Sequence, residues 1–492
     1  MAGFLPYCRF NTGWENNNLA QETSENLTLV WLRRDLRLSD NKALVAAAER
    51  GAVVPVFVLD ELFEQMGAAP KLRLMLSLQA LARDLEARGL RLILRRGPAR
   101  GALEELVAET GANAVYWSRG YAPDVVARDS EIKTALKDRG LAAQSFTGAL
   151  LFEPWTVETR QGAPFRVYSP FWRAVRARSV APCLDVPELH GPTQWPASDS
   201  LETWHLDREM RRGAAVVSRF VAAGEQAAQQ RLAVFLEERI EGYKAERDFL
   251  DRVATSELSD SLSYGEISPA QMWHAGQRAM QEGAAGAEHF LKEVVWREFA
   301  WHLMWYFPTI AEGNWREAWD AFEWIEDADH PHFQAWCQGR TGVALVDAAM
   351  RELYVTGKMH NRARMLTASY LTKHLNIHWK LGLKWFEDCL VDWDPASNAM
   401  GWQWVAGSGP DAAPYFRIFN PDTQAEKFDA DGHYRKRWLS HAPEMGSDTA
   451  ALFFEAMPLS WRGYFEAPQR EAIVSLATGR QRALAAYEAF KA

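Results

Sequence analysis

Three short stretches in the C-terminal half of this chain gather side chains that could do chemistry. In Glu293-Val-Val-Trp296-Arg297 a carboxylate, an indole and a guanidinium stand at positions i, i+3 and i+4. On a helix those positions share one face, so all three point the same way. An intrahelical Glu–Arg pair beside a core tryptophan is the plain alternative. In Met359-His360-Asn361-Arg362-Ala363-Arg364-Met365, the residues Asn361, Arg364 and Met365 likewise share a face. The third stretch runs from Asp392-Trp393-Asp394 through Asn398 to Trp402-Gln403-Trp404. It packs two acids, an amide and three indoles together. A solvated acidic turn is the ordinary reading of such acids, but solvated turns rarely carry three tryptophans.

Those residues need a scaffold, and the pattern along the chain supplies one. From Leu27 to Gly148, short apolar runs (LTLVWL, AVVPVFVLD, LRLILRR, ANAVYWS, AAQSFTG) alternate with segments whose apolar residues recur every three or four positions. That alternation predicts an α/β domain, a doubly wound parallel sheet covered by helices, over 27–150. Residues 151–224 are rich in proline, tryptophan and serine and read as a connector wrapped over the surface. From 225 to 492 the pattern is helical, with no convincing strand, and predicts a large all-α domain. Residues 1–26 are polar and Asn-rich and read as a flexible N-terminal extension, without the apolar core of a signal peptide.

Composition narrows the class. The 48% hydrophobic and 24% charged residues of the 492-residue chain belong to a folded globular protein, not a disordered one. No apolar run is long enough to span a bilayer. The four cysteines are scattered without a CxxC pair, which argues for reduced thiols and no metal site. A cytoplasmic monomer is expected. The net charge of −9 argues against a generic basic nucleic-acid coat, yet leaves room for a local basic rim. The 22 tryptophans outnumber the 13 tyrosines. Core packing accounts for most of them, and the rest are candidates for stacking platforms or a redox relay. GxGxxG, P-loop, HExxH and GxSxG motifs are missing, so a nicotinamide enzyme, an NTPase and the usual hydrolases lack support.

Taken together, these residues resemble the photolyase/cryptochrome family. The likeness begins at Trp31-Leu-Arg33-Arg34-Asp35-Leu-Arg37 and extends nearly to Trp438. Its most specific segment runs from Asn398-Ala-Met-Gly-Trp402-Gln-Trp404 to Tyr-Phe-Arg417-Ile-Phe-Asn-Pro421. The resemblance implies FAD held in the helical domain, light-driven chemistry and UV-damaged DNA as partner. It assigns flavin contacts to Tyr243, Thr255, Ser256, Leu258, Ser259, Arg297, Asn361, Arg364, Asp392, Asp394 and Asn398. Taken alone, Thr255-Ser256-Glu257-Leu258-Ser259 reads as a helix cap. Glu257 and Asp260 replace residues that are more often basic and proline. An amide at Asn398, facing the flavin N5, is similar to photolyases, whereas plant and insect cryptochromes more often place an acid or a thiol there.

The same resemblance makes Glu293, Trp296, Met365 and Trp404 the lesion pocket, with Asn361 bonding the base edges. It places Arg247, Arg362, Arg417 and Lys427 on a phosphate-binding rim. Trp402, Trp379 and Trp324 match the relay that photoreduces the flavin. A second, antenna chromophore of folate or deazaflavin type is expected in the α/β domain, although Asp124-Val125 replaces the Asn-Glu pair of one folate-binding subgroup. The expected activity is that of a deoxyribodipyrimidine photo-lyase acting on cyclobutane dimers. A signalling cryptochrome is the alternative. A six-four photolyase would be expected to carry a histidine pair where this chain has His360-Asn361.

Overall fold

The computed structural model describes residues 26–210, 213–440, 446–466 and 471–491. Of the expected N-terminal extension, only Asn26 lies within the described residues.

All five apolar runs form strands: β1 (Leu27–Leu32), β2 (Ala52–Leu59), β3 (Ile93–Arg96), β4 (Ala114–Ser118) and β5 (Ala142–Phe146). They make one wholly parallel sheet in the order β3-β2-β1-β4-β5. Side chains alternate across it, so one sequence feeds two cores. Leu29, Trp31, Val54, Val56, Val115 and Trp117 pack on one face, while Val30, Leu32, Val53, Phe57 and Tyr116 pack on the other. That is why the strands read as unbroken apolar runs. Pro55, which lacks a ladder donor, sits where β2 faces no partner on its outer side, since pairing with β3 begins only at Val56.

The segment expected as a surface connector is better buried than its composition implied. Its Tyr168–Val175 helix buries Tyr168, Phe171, Trp172 and Val175, spaced i, i+3, i+4 and i+7, in the core of the helical region. Beyond Glu225 the described residues form helices and irregular segments. The helices Ala287–Tyr306, Asn361–Ser369 and Trp379–Cys389 each pack against the helix Pro395–Ala406. Their ends follow local chemistry: Asp394 caps the last of them by accepting the Ser397 N–H at 2.8 Å, Pro395 opens it and Gly407 closes it in a left-handed conformation.

The loop after β1 joins the sheet to the helices. The Leu36 N–H donates to the Tyr264 carbonyl at 3.1 Å, and Arg34 and Arg37 donate to the carbonyls of Ser263 and Gly265. Gly265 is required at this join, because a Cβ there would stand 2.1 Å from the Arg34 carbonyl oxygen, at a φ of +67°.

Candidate functional site

The long Ala287–Tyr306 helix carries Glu293, Trp296 and Arg297 on one face, and the plain alternative, a Glu293–Arg297 pair, is not the one the chain makes. Glu293 instead takes an ion pair from Arg247, on the short Tyr243–Glu246 turn. Arg297 turns the other way, donating to the Ala149 carbonyl at 3.0 Å and lying 3.8 Å from Asp394. Tyr243 is buried, edge-on to Phe235 and Phe290, with Arg247 over its ring.

Asp392 and Arg364 meet as expected. Arg364 Nη2 donates to Asp392 Oδ2 at 2.8 Å, joining the start of the Asn361–Ser369 helix to the turn before Pro395. Asp392 Oδ1 is buried and has no donor. Asp394 Oδ1 caps its helix while its Oδ2 accepts from Trp301 Nε1 at 3.0 Å. Asn398 donates to the Leu383 carbonyl at 3.1 Å. Trp393 and Trp402 each bury an indole N–H that finds no acceptor. A buried polar atom without a partner costs about 1–3 kcal/mol. The open, buried Oδ1 of Asp392 fits a ligand that brings its own hydrogen-bond donors.

Thr255, Ser256, Leu258 and Ser259 lead into the Ser259–Tyr264 helix. Leu258 holds the cap position and no side chain caps that helix, so the hydroxyls are not used as the local pattern alone predicts. Glu257 has a φ of 52°, left-handed for a non-glycine residue. Asp260 is buried in a charge cluster with Arg73, Arg231 and Lys358. Burial opposes its charge, but the cations win and hold its carboxyl below the usual range.

Trp296, Met365 and Trp404 are half-buried against the helical core, and Asn361 is exposed at the start of its helix. Of the rim cations, Arg417 and Lys427 are exposed. Arg362 pairs with Asp248 at 2.6 Å. Among the relay residues, His378 bridges Trp324 and Trp379, at 4.9 and 5.4 Å between ring centres. Trp402 packs on Phe386 and Trp336, and its ring presses on Gly382 of the helix that Trp379 begins.

A cavity of about 400 Å³ opens from this region towards the sheet. Its sheet side holds Arg33, Arg34 and Asp35 after β1 and Ser118 to Val125 after β4; its helical side holds Arg297, Trp301, Trp393, Asp394 and Asn398. β1 and β4 are where the strand order reverses, the place where open α/β sheets bind ligands. Sequence reasoning missed Arg34, Trp301 and Trp393 as lining residues. The only signal for Arg34 was its place in the Trp31–Arg37 string. The structure also reveals Glu298, fully buried next to Arg297, whose carboxyl burial lifts to about 7.

Comparison with known proteins now decides the family. Residues 28–190 match the DNA photolyase family and residues 290–489 the FAD binding domain of DNA photolyase. A deoxyribodipyrimidine photo-lyase of Agrobacterium fabrum is 45% identical over 474 residues, 94% of this chain and 98% of that one. The chain belongs to the photolyase/cryptochrome family. A crystal structure of a bacterial class III photolyase from Agrobacterium tumefaciens superposes with a TM-score of 0.88 at 44% identity, covering 96% of this chain and 99% of that one. Cryptochrome-2 of Arabidopsis thaliana is 34% identical over 84% of this chain and 70% of its own length. FAD is the cofactor of this family domain, and the unpartnered Asp392 Oδ1 fits it. Among the described residues no helix is long and apolar enough to cross a membrane.

Proposed function

We propose that this protein is a light-driven lyase that repairs cyclobutane pyrimidine dimers in DNA. One observation carries the reading: Glu293, held by Arg247, lies on the same helix face as the half-buried indole of Trp296, while Trp404 stands on a helix packed against that one, and Met365 and exposed Asn361 on a helix packed against the Trp404 helix. A dimer flipped from the duplex needs a flat apolar surface to replace its stacking and polar groups for its base edges. Trp296, Trp404 and Met365 supply the first, Glu293 and Asn361 the second. Asn361 in place of a second histidine favours the cyclobutane dimer over the six-four product.

Asp392, Asp394, Arg364 and Asn398 would hold the ring end of FAD, and Tyr243 with Thr255 to Ser259 its phosphate end. Bound there and reduced, FAD would supply the light-driven electron that splits the cyclobutane ring and would take it back afterwards, so the repair is redox-neutral. The chain's own part is to hold and shield. The Asp392–Arg364 pair keeps two opposite charges in fixed register, and Trp301 fixes the Asp394 carboxylate. Arg417 and Lys427 hold the DNA backbone without reading its sequence. Trp402, Trp379 and Trp324 connect the flavin region to the surface. The sheet side of the cavity at the strand-order reversal, with Arg33 and Arg34, is the proposed seat of a second chromophore of folate or deazaflavin type, while Asp394 and Asn398 on its helical side serve the flavin. The 34% identity to a cryptochrome keeps a photoreceptor as the second reading.

Competition binding separates these readings. Duplexes carrying a cyclobutane dimer should displace a labelled dimer duplex at concentrations at least about tenfold below undamaged or six-four duplexes. Equal competition by all three would refute dimer recognition and favour the photoreceptor.

A further inference from the structure

Trp296 reaches its place with help from outside the helical region. Tyr168, at the start of the Tyr168–Val175 helix, lies flat against its indole, with ring centres 3.6 Å apart and planes within 7°. Phe299 meets the edges of both rings at 5.9 Å. Tyr168 is only 7% exposed whereas Trp296 is half-buried, so the stack covers one indole face while part of the indole remains open to solvent.

Two hydrogen bonds hold the tyrosine. Its hydroxyl donates to the Lys292 carbonyl at 2.6 Å, one turn before Trp296. Its backbone N–H donates to Asp411 Oδ2 at 3.3 Å. Asp411 has a φ of 48°, a left-handed conformation rare outside glycine, and lies in the loop that leads to Arg417. One residue thus touches the indole, the helix that carries it and the loop that carries the exposed rim arginine.

We propose that Tyr168 is a positioning residue for lesion binding, fixing the plane of Trp296 and the register of the Asp411–Arg417 loop so that stack and phosphate contact are set together. The inference rests on the dimer-repair reading. A free indole at this site would lose rotamer freedom on binding the base, and a pre-stacked one has already lost it. Tyr168 therefore acts through affinity for the lesion and not through the photochemical step.

The test compares Tyr168→Phe, Tyr168→Leu, Asp411→Ala and Trp296→Ala holoproteins, each checked for FAD content. Dissociation constants are measured for dimer-containing and undamaged duplexes, and repair per photon is measured at saturating DNA. Tyr168→Leu should weaken dimer binding about tenfold, Asp411→Ala about threefold and Tyr168→Phe less than threefold, because the phenyl ring keeps the stack. In the Tyr168 and Asp411 variants undamaged DNA, which offers no flipped base to the stack, should lose less affinity than dimer DNA, and saturated repair should be unchanged. If Tyr168→Leu loses FAD, Asp411→Ala decides by the same readouts. Tyr168 and Asp411 variants that keep parental dimer affinity while Trp296→Ala loses it would overturn the inference. So would equal losses on damaged and undamaged DNA, the mark of a merely structural role. A parent without preference for dimer DNA would overturn the repair reading beneath it, a failure visible before any variant is made.

Discussion

Asp392→Asn isolates the electrostatics of the flavin site. The Asp392 side chain is 4% accessible, Oδ2 accepts a charge-assisted bond from Arg364 at 2.8 Å and Oδ1 awaits a donor. Asparagine keeps the shape and an acceptor oxygen but removes the charge. Hydrogen bonds to charged groups contribute about 1.5–3 kcal/mol each. A neutral acceptor in its place keeps about 0.5–1.5 kcal/mol, so the exchange costs about 1–1.5 kcal/mol, or about 5- to 12-fold weaker FAD binding. Arg364 is 28% accessible and can turn to water, so the apo fold should survive the change. Flavin fluorescence quenching on titration into apo protein measures the affinity, and thermal unfolding of the same apo protein measures the fold. An unchanged FAD dissociation constant would refute the assignment. A drop in apo stability as large as the loss in binding would make the pair purely structural.

Three further outcomes follow from the same geometry. Burial raises the Glu298 carboxyl from 4.5 to about 7, so its contribution to stability is fully present below about pH 4.5 and is lost as pH rises through about 7. Glu298→Gln should remove that dependence, changing the parent-minus-variant stability by about 3 kcal/mol between pH 4.5 and 8; a constant difference would contradict it. Trp402→Phe should sharply slow photoreduction of oxidised flavin while repair by chemically reduced protein persists, and a matching loss of both would point to packing alone. Arg417→Gln should weaken dimer-DNA binding in every sequence context and flatten its salt slope by about one unit. Arg362→Gln should do less, because Asp248 already pairs with that residue, and equal slopes in all variants would remove the rim.

The sheet was readable from sequence because both of its faces are buried, which turns strands such as Leu27–Leu32 into unbroken apolar runs. The helix face carrying Glu293, Trp296 and Arg297 was equally readable, but the partner of Glu293 was not. Spacing pointed to Arg297, and the chain brought Arg247 instead. The Arg364–Asp392 pair came from family resemblance, since nothing local joins residues so far apart. Tyr168 was hidden for a different reason: its helix is short and sits in a proline-rich stretch, so its buried stripe was taken for surface. The raised carboxyl of Glu298 comes from burial among segments far away in sequence, which outweighs Arg297 and the Leu151 and Phe152 N–H groups it accepts at 2.8 and 3.3 Å, and no local pattern encodes that.

The central claim meets its most direct test in one illumination experiment. The protein, reduced beforehand and mixed with an oligonucleotide carrying a single cyclobutane thymine dimer, is exposed to blue or near-ultraviolet light, and restored thymines are scored by chromatography against a dark control. The account predicts restoration in the light with many dimers repaired per protein, and none in the dark. A protein that carries FAD and binds the oligonucleotide yet restores no thymine under light would contradict it.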